Sequence, residues 1–451
     1  MNATATSAQE WKAAVYAYAA DLNAYIARGD ACNWKGMDDH DRAPDTSKLL
    51  EHMLTQLHAA NAQGTESAIA AFRAQWPPLY EATFPLLEDN SQDFAGLAWL
   101  PDGALMVRTG SYYEPGQVFK IHGVQVAEMP EVDMFGLSPN QQVLALVAPG
   151  SDVVRLVKSA DQTPLAQFNL PDGSEGLPPG FTTQSVEGDS SSDNGYEGLN
   201  VNTLVQIIPF DDASGVVVVQ NTGVFLVTAS GIRRLLPTAD DLQEEMEGAE
   251  PYPVHLDMAH AAISPDGRWI VCGSQDSCHC VFNAQGELID CIDPHSEYPH
   301  HAAFFADGRH VAFNACHLYN GATMAVAVDA LGSIQSDHYE EHPAVTDIDT
   351  SARVYASAAV DDALVLGDAN GYLWVRNPKG ELQWKQHLGS TINAMAASAD
   401  GKRLAVGSYS GTVHIIDLTN TQAAPEQIGV RARREVRRWL FWKQQNRPLA
   451  W

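Results

Sequence analysis

The sequence predicts a mainly β protein: a seven-bladed β-propeller with an N-terminal α-helical domain and a short C-terminal helical tail. Three observations carry this. Helical periodicity marks the first part of the chain and returns in the last residues, and strand-length runs divided by polar turns fill Phe94 to Leu418. Those turns recur with a base interval of about 40 residues. The implied division is residues 1–88 for the helical domain, 89–420 for the propeller and 421–451 for the tail. A chain of 451 residues with 45% apolar content is ample for a large core.

The helical part reads as three helices. Ser7-Ala-Gln-Glu10 has the capping-box spacing, and Trp11, Val15, Tyr18, Leu22 and Tyr25 follow at 3.6-type spacing before Gly29. A second helix is expected from Ser47 to about Ala60, with Leu50, Met53, Leu54 and Leu57 on one side. A third runs from Glu66 to Trp76 and stops at Pro77-Pro78, where the proline ring and missing N–H end the ladder. These apolar stripes are expected to pack among the helices and onto the segment that follows.

Seven innermost strands are expected at Phe94–Leu100, Val132–Ser138, Asn202–Phe210, Asp257–Ser264, His301–Ala306, Val354–Val360 and Ile392–Ser398. Each precedes a tight polar turn such as Pro265-Asp-Gly267 or Asp400-Gly401. The turn residues at 102, 140, 211, 266, 307, 361 and 400 are 38, 71, 55, 41, 54 and 39 residues apart. The short intervals fit one four-stranded blade, and the excesses are insertions. Several inner strands are rich in Ala, Ser and Gly, as blades converging on an axis require.

The motifs Ile263-Ser-Pro-Asp-Gly-Arg-Trp-Ile270, Ala397-Ser-Ala-Asp-Gly-Lys-Arg-Leu-Ala-Val-Gly-Ser408 and Gly411-Thr-Val-His-Ile-Ile-Asp-Leu418 resemble the WD-repeat-like propeller family. The resemblance implies the architecture and leaves the role open. Ile416-Asp417 and Phe282-Asn283 stand where that family closes a third strand with Trp-Asp, and its Gly-His pair is missing. A buried network repeated blade by blade is therefore not expected. The ending Arg447-Pro-Leu-Ala-Trp451 resembles C-termini of a bacterial-type subgroup of such propellers.

Charge is the second strong signal. There are 27 Lys and Arg against 56 Asp and Glu, a formal net charge of −29. Residues 421–451 hold seven basic residues and only Glu426 and Glu435, so the tail is +5 and the remainder −34. Val436, Trp439 and Leu440 would share one face of a helical tail, which is expected to dock on the acidic body. Such an acid excess disfavours nucleic acid and anionic membranes as partners. No apolar run approaches the roughly 20 residues that span a bilayer, and the N-terminal stretch lacks the basic start of a secretory signal. A cytoplasmic protein is expected, and its six cysteines form no disulfide framework.

In an up-and-down blade, the connection to the next blade lies at the same end as the turn between the second and third strands. Residues 171–200 join blades 2 and 3 and carry Asp172, Glu175, Glu187, Asp189, Asp193 and Glu197. Residues 236–254 join blades 3 and 4 and carry Asp240, Asp241, Glu244, Glu245, Glu247 and Glu250. Neither segment has a Lys or Arg. Asp290, Asp293 and Glu297 fall in the blade 4–5 connection, and Asp337, Glu340, Glu341, Asp347 and Asp349 are expected in the blade 5–6 connection. The bland alternative is solvated loops that favour solubility. The sharper one is a docking face for a basic protein.

Chemical motifs are sparse. Ten of sixteen His and five of six Cys fall between 255 and 342, which makes this stretch the place to look for a metal. Yet Cys278-His-Cys280 is no CxxC knuckle, and strand alternation sends His279 to the other face. Asp189-Ser-Ser-Ser-Asp-Asn-Gly-Tyr-Glu197 lacks the sixth-position Gly of a calcium loop, and Asn200 replaces its last carboxylate. No HExxH, GxSxG, GxGxxG or P-loop occurs. The leading expectation is a non-enzymatic, cofactor-free propeller that binds a basic protein, such as a toxic effector neutralised by its immunity protein, or that acts as a scaffold. The alternative is a hydrolase with its site in the central channel, using His and carboxylates with or without a metal, His260 being a candidate acid–base group.

Overall fold

The structure is a computed structural model that describes residues 3–40, 44–84, 86–111, 116–181, 183, 203–248, 254–318, 320–334 and 342–451. Seven antiparallel sheets form a ring, each beginning at the axis and running outward in sequence order. The inner strands are Phe94–Trp99, Met134–Leu137, Leu204–Pro209, His260–Ile263, Tyr298–Phe304, Val354–Val360 and Ile392–Ala397. The second strands are sandwiched between blades and buried on both faces. Leu105–Thr109, Val143–Val147, Gly215–Gln220 and Ala363–Asp368 are therefore buried at every position, without alternation, and mostly apolar.

One turn chemistry repeats between the first and second strands. In blades 2, 4 and 7, Ser138, Ser264 and Ser398 donate their hydroxyls to Asn140, Asp266 and Asp400 at 2.9, 2.7 and 2.7 Å. Each serine oxygen also accepts the amide five residues on, from Val143, Trp269 and Arg403. Gly267 and Gly401 adopt φ of 70° and 67° there, and Gln141 takes the same left-handed conformation at 61°.

Helices α1 (Ala3–Cys32), α2 (Ser47–Gln63) and α3 (Glu66–Gln75) precede the ring. Helix α1 begins before Ser7, so the expected capping box lies inside a helix that also runs past Gly29. Gly64 ends α2 in the left-handed conformation, and the Thr65 side chain caps α3 by accepting from the Ala68 amide at 3.2 Å. Trp11, Met53, Leu57, Phe72 and Trp76 join Phe94, Leu105, Trp439 and Trp451 in one core shared by the helices, blades 1 and 7 and the last residues. Between α3 and the ring lie a short 3-10 turn, Glu81–Thr83, and α4 (Leu87–Asn90).

The expected helical tail is corrected: those residues form strands. Ile428–Val430 adds a fifth strand to blade 6 by pairing with Leu382–His387. Arg434–Leu440 is the fourth strand of blade 7, paired with Thr412–Asp417, and Leu449–Ala450 follows as its fifth. Residues 392–417 supply only three strands to blade 7, which would leave a row of unpaired backbone groups at its edge. The tail fills that edge. Strand alternation then leaves Val436 42% exposed and Trp439 2% exposed, where a helix would have put both on one face.

Candidate functional site

The strand order places the loops. Blade 2 ends at Pro164–Asn169 and blade 3 starts at Leu204, while Gly231–Leu236 ends blade 3 and His260 starts blade 4. The connections bearing the acids therefore leave and enter at the end of the second-to-third-strand turns. Asp172 Oδ1 accepts from the Ser174 amide at 2.8 Å and its hydroxyl at 2.6 Å, which hold the carboxyl below its usual range. Glu175 accepts the amides of Asp172 and Gly173, each at 3.0 Å. Arg234 of blade 3 anchors this turn by donating to the carbonyls of Gly173, Glu175, Thr222 and Leu236. Its guanidinium lies over the Phe225 ring, 4.7 Å from the centroid.

Downstream, α5 (Ala239–Gly248) carries Asp240, Asp241, Glu244, Glu245 and Glu247. Thr238 and Asp241 cap it reciprocally, with the Thr238 amide 2.7 Å from Asp241 and the Asp241 amide 3.2 Å from Thr238 Oγ1. Asp240 and Asp241 are exposed in its first turn, where the helix dipole favours acids. Glu187, Asp189, Asp193, Glu197 and Glu250 lie outside the described residues, as does the calcium-like segment around Asp189.

Glu340 and Glu341 also lie outside the described residues, but their expected place in the chain is corrected. Asn320–Ala327 and Val345–Asp349 are the third and fourth strands of blade 5, so the segment between them is internal to that blade. It departs from the opposite end to the blade 2–3 and 3–4 connections. Asp347 and Asp349 sit on the fourth strand itself. Asp349 is buried, receives Arg376 at 2.8 Å and accepts the Ser351 and Ala352 amides. It serves the fold.

The central channel has a volume of about 1120 Å³. His260, His301 and Ser357 line it from consecutive blades. His260 Nδ1 donates to the Met258 carbonyl at 2.9 Å, and His301 Nε2 meets Ser357 Oγ at 2.8 Å. Burial pushes the two imidazoles down to about 4 and about 3, so both are neutral. Neighbouring His300 donates from Nδ1 to the Val354 carbonyl and accepts Arg353 at Nε2. Among the described residues no carboxylate is bonded to His260 or His301.

Two features escaped the sequence reading, which notes the cysteines between 255 and 342 without pairing them. Cys278 and Cys291 form a disulfide between the third and fourth strands of blade 4, with Cys280 Sγ 3.5 Å from Cys278 Sγ. Cross-strand register was its only signal. The other is a buried ionic cluster of Glu81, His414, Glu435, Arg438 and Arg73, drawn from four separate segments, which no local motif could announce.

These features define a seven-bladed propeller with connections of unequal length. The WD domain, G-beta repeat family matches residues 252–283 and 379–417, in blade 4 and across blades 6 and 7. With the seven sheets, that supports a WD-repeat-like propeller. No curated protein matches the chain. Among solved structures, the chain is similar to the β-propeller domain of Cps50 (Swd1) from Myceliophteria thermophila, at 11% identity and a TM-score of 0.47, covering 70% of this chain and 93% of that one. It is also similar to hydrazine synthase of Kuenenia stuttgartiensis, at 13% identity and a TM-score of 0.45, covering 72% and 96%.

Proposed function

We propose that this propeller is a non-enzymatic binding protein that recognises a basic partner protein through the acids of its blade 2–3 and 3–4 connections. One observation supports the reading: two successive connections, whose flanking strands leave and enter at the same end of the ring, carry six acids each in their sequence and no Lys or Arg. Two of the tail's cations are engaged elsewhere. Arg438 is paired with Glu435, which also receives Arg73 of α3, and Arg437 is paired with Glu66 of the same helix. A rigid ring with long charged loops suits fast, steered capture of a cation-rich surface. A toxic effector held by its immunity protein is one such pair, a scaffolded complex another, and the cytoplasm the proposed compartment.

The test is capture of partners from the native cell at low salt, followed by association kinetics. Replacing Asp240, Glu244, Glu245 and Glu247 with Asn or Gln is expected to slow association roughly tenfold and flatten its salt dependence. An unchanged on-rate at low salt overturns the reading. A channel hydrolase has the His301–Ser357 contact in its favour, but a neutral imidazole without a carboxylate partner is a weak base for that hydroxyl.

A further inference from the structure

The register of blade 4 brings three cysteine sulfurs together. Ala261, Cys272, Cys280 and Cys291 stand opposite one another across the four strands, and Cys278 precedes Cys280 by two residues on the same face. The sulfurs of Cys278, Cys280 and Cys291 all lie within 4.8 Å of one another. Cys280 is buried against the apolar core with Cys272, Ile270 and Phe282, Cys278 is half-buried, and Cys291 is exposed. The cluster is thus seated at its inner side and open to solvent at its outer side.

We propose that, when its disulfide is reduced, this trio is a copper(I) site. Thiolates are soft ligands that select copper(I) and zinc over harder ions. Among the described residues no fourth His, Cys, Asp or Glu joins the group. Structural zinc asks for four protein ligands in a tetrahedron. Copper(I), a closed-shell ion, is satisfied by three sulfurs in a trigonal plane. Loading needs the Cys278–Cys291 bond opened. A dithiol reductant supplies two electrons and two protons, giving two thiols and becoming a disulfide itself. Copper(I) then displaces the thiol protons to solvent. Oxidation removes two of the three ligands, so disulfide and metal exclude each other.

The experiment uses the full chain, reduced anaerobically and titrated with copper(I) against a chromophoric copper(I) chelator. Wild type is expected to retain a single equivalent. Cys291→Ser, at an exposed strand edge that tolerates the change, is expected to lose roughly a hundredfold or more in affinity, and Cys278→Ser likewise. Cys32→Ser, remote from the cluster, is expected to behave as wild type. Protein oxidised before denaturation is expected to show four free thiols and to retain no copper. Wild-type affinity in Cys291→Ser, equal binding by oxidised protein, or retention of zinc in preference to copper(I) overturns the proposal.

Discussion

His414 joins Glu81 and Glu435 through its two ring nitrogens, Nε2 at 2.8 Å from Glu81 Oε1 and Nδ1 at 2.7 Å from Glu435 Oε2. Both nitrogens face carboxylates, so the ring is an imidazolium that ties the segment before blade 1 to the third and fourth strands of blade 7. Ser408 donates to Glu81, while Arg438 and Arg73 complete the shell of Glu435. Burial works against each charge. For His414 the two carboxylates outweigh it and raise its pKa, and for Glu435 the surrounding cations hold the carboxyl well below its usual range. Buried pairs of this kind break at a high cost when one partner is lost.

The pH dependence follows from those directions. His414 binds its proton more tightly folded than unfolded, so its contribution is full below the ordinary value of 6.5 and is lost as pH rises through the raised value. Burial depresses His260, His300, His301 and His387, which act oppositely by destabilising the fold as pH falls below 6.5. We therefore predict the difference between wild type and His414→Gln. It is expected to be about 3 kcal/mol near pH 6 and to shrink at alkaline pH. Urea unfolding at several pH values measures it, and a pH-independent difference refutes the imidazolium.

The tail strand closes blade 7, so its anchor should matter as much as a core residue. Trp451 is buried, donates its indole N–H to the Trp76 carbonyl at 2.7 Å and exchanges backbone bonds with Arg438. Asn61 of α2 clamps Ala450 from both sides of the peptide. Trp451→Ala is expected to cost about 3–5 kcal/mol in denaturant unfolding. Truncation after Val430 is expected to remove cooperative unfolding altogether, because it bares the blade edge and strands Glu81 and His414 without Glu435.

Arg234 organises the first acidic turn. It donates to four carbonyls, and burial lowers its guanidinium to about 10. Arg234→Met leaves those acceptors unmatched and is expected to cost about 2–4 kcal/mol. Hydrogen exchange should rise first at residues 172–176, and association with a basic partner should slow if that turn presents Asp172 in a fixed geometry.

What could be read from the sequence divides by range of interaction. Seven inner strands were legible because each is followed by a local polar turn, as where Ser264, Asp266 and Gly267 complete one within a few residues. Blade 5 misled because its third-to-fourth connection is long, so Asp347 and Asp349 looked like a link between blades until pairing with Thr323–Val326 made them a strand. The tail misled for a related reason. Val436, Trp439 and Leu440 satisfy a helical spacing, and only the vacant edge of Thr412–Asp417, some twenty residues earlier, decides for strand. The cluster of Glu81, His414, Glu435, Arg438 and Arg73 spans most of the chain and has no spacing to read. The acids of residues 171–200 and 236–254 were legible as composition, but that Glu175 and Asp241 hold turns and helix ends was not.

His279 provides the last test. It is 0% exposed, neither ring nitrogen has a partner among the described residues, and the ring stacks on Phe313 with centroids 4.8 Å apart. Burial holds its pKa well below the ordinary 6.5. The unfolded chain takes up a proton there that the folded chain refuses, so stability is present above 6.5 and declines as pH falls below it. His279→Leu removes two unmatched polar atoms at nearly constant volume. It is expected to leave stability at pH 7 unchanged or raise it by about 1 kcal/mol, and to make the loss between pH 6.5 and 4.5 shallower than in wild type. Parallel acid profiles for the two proteins, measured by thermal unfolding, would mean that His279 has a hidden donor or acceptor in the fold.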